Sequence, residues 1–189
     1  MLMHSPADAL DARRGALVLV DYQSRLMPAI DDAERVLEQG VFLGRLAREL
    51  GVPVVGTEEN PAGLGHNDAR IASLCETTLA KTSFDACGDG LSERLRATER
   101  DVDQVVVAGC EAHVCLLQTS LGLLREGFHV FAVPDACGSR RARDKALAMQ
   151  RLQQAGAILV NPEMLAFEWL RSCDHPRFRE VLTLVKALP

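Results

Sequence analysis

The sequence predicts an α/β fold of three layers, with a mainly parallel, doubly wound sheet of six strands between two layers of helices. Short, uniformly apolar runs such as ALVLV (16–20) and QVVVA (104–108) read as strands buried on both faces. Longer amphipathic stretches separate these runs, as the crossovers of a parallel sheet require. Glycines close the helical stretches, at Gly51, Gly127 and Gly156.

The first strand is 16–20, ended by Asp21. A helix over 33–50 carries Val36, Leu37, Val41, Leu43, Leu46, Ala47 and Leu50 at helical spacing. PVVGT (53–57) is the second strand, and NPAGLG (60–65) is loop by its Pro and Gly content. Residues 79–82 make a short third strand and 91–98 a helix. The strong central strand 104–108 precedes a helix over 114–126. A strand at 129–133, a helix at 144–154 and a last strand at 157–160 follow, then helices at 163–170 and 176–188. The sequence contains no internal repeat, linker or low-complexity segment. The expectation is one domain over 1–189, with 1–14 as a flexible N-terminal arm.

Composition narrows the function. A chain of 189 residues buries about 70% of its unfolded surface and needs no disulfide staples. The net charge of −5 is spread along the chain. Arginines cluster only at Arg140, Arg141 and Arg143, beside Asp144, which reads as a solvated helix start and not a nucleic-acid surface. No run approaches the ~18 apolar residues that span a bilayer, and the N-terminus has no signal-peptide core. A cytoplasmic protein with reduced thiols is expected. The six cysteines (Cys75, Cys87, Cys110, Cys115, Cys137, Cys173) include no close CxxC pair, so neither a zinc knuckle nor a thioredoxin-type motif is written here. Gly63 and Gly65 neither follow the first strand nor open a helix as a dinucleotide fingerprint needs. No cofactor is expected.

Ligands of such a sheet bind beyond the carboxyl ends of its strands, where the strand order reverses. Residues just past the strands are therefore the candidates: Asp21, Glu58 and Glu59, Lys81, 109–115, and Asp135. Cys115 falls where loop gives way to helix, and the helix dipole together with a nearby lysine would lower its pKa. The plain alternative is a small buried hydrophobe. Asp21 suits a base that takes the thiol proton, or a turn-forming aspartate. Lys81 alone reads as a solvated lysine as readily as a functional one.

G-C-E-A-H-V-C-L-L-Q-T (109–119), with V-D-Y-Q (20–23) and A-K-T-S-F (80–84), resembles the isochorismatase-like cysteine hydrolases, which include nicotinamidases and carbamoyl-amide hydrolases. V-P-D-A-C (133–137) and E-M-L-A-F-E-W-L (163–170) extend the likeness to about 15–170. The resemblance implies a catalytic trio of Asp21, Lys81 and Cys115. It also implies a cis Cys110–Glu111 peptide and an oxyanion hole from the N–H groups of Glu111 and Cys115. The activity implied is hydrolysis of a small amide or carbamoyl C–N bond through a cysteine thioester. T-E-E-N-P-A-G-L-G looks like a branch without metal, because the Asp-x-His ligand set of nicotinamidases is replaced by Thr57, Glu58, Glu59 and Asn60, with only His66 nearby.

Gln23, Met27, Asn60, Phe84 and His113 are candidate pocket residues by their places beside the trio. Asp135 suits a turn or cap, Trp169 packing, and a Cys110–Cys115 disulfide would be an inactivating accident. Two rivals remain: a thiol redox or peroxide-sensing protein, and a non-catalytic α/β binding module. The expected partners are a small-molecule substrate and further copies of the chain, with neither nucleic acid nor membrane. Phe167, Trp169, Leu170 and a final helix bearing Phe178, Val181, Leu182 and Val185 offer interface material, although such a stripe more often packs onto its own sheet.

Overall fold

The computed structural model describes residues 9–98 and 100–188. Its six strands, β1 (Gly15–Val20), β2 (Val54–Glu59), β3 (Thr77–Lys81), β4 (Gln104–Cys110), β5 (His129–Gly138) and β6 (Ile158–Leu159), form one sheet in the order β3-β2-β1-β4-β5-β6. Every pairing is parallel. After β3 the chain crosses to the other side of β1, so the order reverses between β1 and β4, where sheets of this kind have a ligand crevice beyond the carboxyl ends of the strands.

The helices are α1 (Ala33–Glu49), α2 (Pro61–Leu64), α3 (Ala69–Ala72), α4 (Leu91–Arg96), α5 (Leu117–Arg125), α6 (Ala142–Gln154), α7 (Pro162–Leu170) and α8 (Phe178–Lys186). The pleat of β1 divides its side chains between two cores. Leu17 and Leu19 join Leu43 and Leu46 of α1, Trp169 of α7 and Val181 of α8. Ala16, Val18 and Val20 join Leu91 and Leu95 of α4, Leu123 of α5 and Leu152 of α6. Each fully buried Val or Leu contributes about 1.5–3 kcal/mol against exposure, so the continuous apolar runs are what hold the sheet between its helical layers.

Four departures from the sequence expectation have physical causes. Residues 61–64 form the single helical turn α2 inside the expected loop, opened by Pro61, whose fixed φ suits a first helical position. β5 runs on to Gly138 because its register against β4 shifts between Val107↔Ala132 and Gly109↔Cys137. Pro134, which has no N–H to give, sits in that irregularity, so Asp135 belongs to a strand and not to a turn. The helix after β4 begins at Ala112 with a wide turn, Ala112–Leu116, in which Leu116 N–H reaches Glu111 O at 3.2 Å. The expected flexible arm is packed from residue 9 onward: Leu10 is buried, its N–H donates to the Glu168 carboxylate at 2.8 Å, and Asp11 N–H donates to Gln104 Oε1 at 2.7 Å. Residues 1–8 lie outside the described residues.

The final helix α8 turns Val181 into the core, with Phe178 and Val185 packed beside it. No helix among the described residues is long and apolar enough to cross a membrane. All six cysteines are free thiols.

Candidate active site

β1 delivers Asp21 to the crevice through a backbone that leaves extended geometry at once, at φ +51°. Val20 pairs with Gly109 across the strand-order reversal. Gly109 has φ +137°, and a Cβ there would lie 2.0 Å from the Val20 carbonyl oxygen. Only glycine lets β4 pass this close to the turn that carries Asp21. The next residue, Tyr22, is fully buried: its hydroxyl donates to Ala136 O at 2.6 Å, and its ring lies where a Cβ on Gly40 of α1 would stand at 2.7 Å. Neighbours on two elements therefore hold the Asp21 turn.

β2 supplies the next side chains by alternation. Thr57 Oγ1 donates to Asp21 Oδ1 at 2.6 Å, while Glu59 accepts from Lys81 Nζ at 2.8 Å. Glu58, between them, faces away: it accepts from Asn67 N–H and meets His66 Nδ1, both at 2.9 Å. Gln23 clamps the end of β2, accepting from Glu59 N–H and donating to Glu59 O, each at 2.9 Å, and also donating to Gly65 O at 2.6 Å.

Lys81 ends β3 with its side chain wholly buried. Its ammonium donates to Asp21 Oδ2 at 2.9 Å and Glu59 Oε2 at 2.8 Å. Burial works against the charge, but the two carboxylates outweigh it and hold the pKa above the usual 10.5. Lys81 is thus a fixed cation and not a proton acceptor.

Cys115 rides the wide turn after β4 and is buried. Its Sγ and a carboxylate oxygen from each of Asp21 and Glu59 lie within 4.8 Å of one another. The trio expected from sequence is therefore brought together, with Glu59 as a fourth member. The expected lowering of the Cys115 pKa is reversed. Burial first, then the negative charge of Asp21, push the thiol up to about 12 against the opposing pull of Lys81. A helix end and one lysine do not offset desolvation beside two carboxylates.

Among the described residues, Asp21, Glu59 and Cys115 are the one group with donor atoms close enough to share a metal ion. No histidine joins them, since His66 is turned to Glu58 with its own side chain 84% exposed. The ammonium of Lys81 already binds both carboxylates, so the cation of this cluster is built into the chain.

The remaining candidates are dispersed. The Cys110–Glu111 peptide is cis. The Glu111 carboxylate accepts from Arg140 N–H and Nε, both at 3.0 Å. Gln23 is committed to the backbone clamp. Met27 is buried in the core beneath α1, with its sulfur 3.8 Å from that of Cys110. Asn60 is exposed at the start of α2, Phe84 is 50% exposed, and His113 Nδ1 meets Ser139 Oγ at 3.0 Å. Sequence reasoning placed Glu59 on the rim but missed its bond to Lys81, and missed Thr57. The period of two along T-E-E puts 57 and 59 on one face and was the available signal.

Comparisons with known proteins agree with this fold. The isochorismatase domain model matches residues 15–163. Isochorismatase family protein 1B of Dictyostelium discoideum is 30% identical over 176 residues, covering 90% of this chain and 85% of that protein. A structure described as the MAR1 ribonuclease of Caenorhabditis elegans superposes with a TM-score of 0.90 at 32% identity, covering 96% of this chain and 95% of the other. The octameric hydrolase YcaC of Escherichia coli, at 24% identity, shares the fold with a TM-score of 0.83 over 98% of this chain and all of its own. The domain match over residues 15–163, together with a relative 30% identical along most of both chains, places the chain in the isochorismatase family of hydrolases.

Proposed function

We propose that the protein hydrolyses a small amide or carbamoyl C–N bond through a thioester on Cys115. The observation that carries the reading is the contact of a buried thiol with a carboxylate that a buried ammonium and a hydroxyl hold in place. Lys81 and Thr57 occupy both oxygens of Asp21, so the carboxylate is oriented before substrate arrives.

In the resting site Cys115 is a thiol. Its proton passes to Asp21 as sulfur attacks the carbonyl carbon, because a thiolate formed in advance would face two carboxylates. The tetrahedral oxyanion is held by the N–H groups of Glu111 and Cys115, where one donor contributes about 2.7–4 kcal/mol to the barrier reduction. Asp21 returns the proton to the departing nitrogen as the C–N bond breaks, leaving the acyl group on sulfur. Water, deprotonated by Asp21, then cleaves the thioester and restores the thiol. Lys81 keeps its proton throughout. No cofactor takes part, and the protein works in the cytoplasm.

A peroxide-sensing thiol needs an accessible thiolate, and the raised pKa and burial of Cys115 argue against that role. The Caenorhabditis neighbour described as a ribonuclease raises an RNA reading. A phosphodiester offers no carbonyl and would bring negative charge to two carboxylates balanced by a single ammonium.

The test is ammonia release from a panel of primary amides and carbamoyl compounds, with a labelled RNA in parallel. At least one amide or carbamoyl compound should release ammonia with wild type and none with Cys115→Ala. RNA cleavage that depends on Cys115, or amide hydrolysis that survives its removal, would overturn the reading.

A further inference from the structure

Two carboxylates and one ammonium meet at the candidate site, leaving a formal excess of one negative charge beside the Cys115 thiol. The other charged groups nearby do not offset it. Glu58 faces His66 and Asn67, and Glu111 is paired with Arg140. Asp85, on the loop after β3, is paired with Arg125.

Asp21 is satisfied at both oxygens, by Thr57 and Lys81. Glu59 is not. Its side chain is 10% exposed and gives one oxygen, Oε2, to Lys81, while Oε1 has no donor among the described residues. The side chain is nine-tenths buried, but this oxygen is not sealed from solvent, so a ligand that brings a donor can take the place of water there.

Resting on the hydrolase reading, we infer that Glu59 is a specificity-determining residue: its free oxygen receives a hydrogen-bond donor of the substrate, and the site takes neutral or cationic amides and excludes those with a carboxylate or phosphate next to the reacting carbonyl. Lys81 is close enough to attract such an anion but is already shared by two carboxylates, so the anion would meet the site's excess of one negative charge. A primary carboxamide, ureido or amidine nitrogen, or an ammonium close to the carbonyl, supplies what Glu59 lacks.

The charge preference is measurable without knowing the substrate. Small methanethiosulfonates form a disulfide on a thiol with loss of methanesulfinate, and they come in matched forms: methyl (neutral), 2-aminoethyl (cationic) and 2-sulfonatoethyl (anionic). Rates at Cys115 are read by peptide mass spectrometry, which separates it from the five other cysteines. Each rate is divided by that of the same reagent with 2-mercaptoethanol. In wild type the cationic reagent should exceed the anionic by at least about tenfold, because a unit charge a few ångströms away in a partly desolvated site acts at this scale. Glu59→Gln, which keeps an acceptor for Lys81 and removes the charge, should shrink that ratio at least about fivefold. Glu59→Asp should retain most of it.

Equal normalised rates in wild type, a preference for the anion, or a ratio unmoved in folded Glu59→Gln would overturn the inference. So would a Cys115 inert to all three reagents, since a substrate must reach the same atoms. If Glu59→Gln does not fold, the wild-type ratio still decides. A cation preference together with failure of every amide to hydrolyse would remove the hydrolase reading and leave the charge assignment standing.

Discussion

Thr57 grips Asp21 twice: its carbonyl accepts the Asp21 N–H at 3.2 Å, and its hydroxyl donates to the Asp21 carboxylate at 2.6 Å. The first bond ties the backbone turn to β2, and the second fixes the rotation of the carboxylate toward Cys115. Thr57→Val keeps the shape and deletes the hydroxyl. It should lower unfolding free energy by about 1–3 kcal/mol, the usual consequence of leaving a buried acceptor without its donor. It should also reduce kcat on any amide substrate at least about tenfold. Thr57→Ser should restore both, as read by chemical denaturation and ammonia release.

Lys81→Met removes the one cation between two buried carboxylates. A destabilisation of about 3–5 kcal/mol at pH 7 is expected, because breaking one side of a buried pair strands the other. Urea midpoints of wild type and variant at pH 7 measure this, and an unchanged midpoint would contradict the ion-pair account.

Gly109→Ala adds one methyl group against the Val20 carbonyl at a φ that an L-residue rarely adopts. The β1–β4 pairing must open or the Asp21 turn must move. Destabilisation above about 3 kcal/mol, or failure to fold, is expected. Any folded fraction should be inactive. A variant with wild-type melting temperature and activity would remove Gly109 from the account of the site.

The Cys115 thiol is pushed up to about 12 from an ordinary 9.0, chiefly by burial. Between these values the unfolded chain ionises while the native one does not, so stability is complete below about pH 9 and falls as pH rises toward 12. One such group contributes a slope of at most about 1.4 kcal/mol per pH unit. Cys137, raised to about 12 by its own burial, acts in the same direction. Cys115→Ala should flatten the alkaline limb of the stability curve and leave its neutral region nearly level.

Phe84, Leu147, Met164 and Phe167 are the large apolar side chains left exposed among the described residues. Phe84 sits just past Lys81, at the rim of the crevice. A homo-oligomer that buries more than about 1,000 Å² at each contact is the expected solution state. Sedimentation of the wild type should give a dimer or larger at micromolar concentration, and a monomer there would end the claim.

The centre of the sheet was readable because β1 and β4 are apolar runs buried on both faces, whereas β3 is largely exposed and carries a weaker pattern. That Asp21, Lys81 and Cys115 lie together was readable because each sits at or just past a strand end in a recognisable local motif. The pairing of Glu59 with Lys81 was harder. Two adjacent glutamates are equivalent on paper, and only the pleat of β2 sends one to Lys81 and the other to His66. The direction of the Cys115 pKa was missed for a related reason. Position along the chain reveals a helix end but not how much water is excluded or how many carboxylates face the sulfur. The continuation of β5 past Pro134 depends on a register shift against β4 that hydrophobic patterning does not carry.

Asp21, Glu59, Lys81 and Cys115 arrive from β1, β2, β3 and the turn after β4, so no fragment with fewer than these four segments holds the reactive group. Local helices form in microseconds or less, whereas distant strands must first close long loops. During refolding, helical signal should therefore return ahead of the proposed activity, which would report when β1, β2 and β3 have joined β4. The candidate site would thus serve as a clock for long-range assembly, one that starts only when the most distant partners have met.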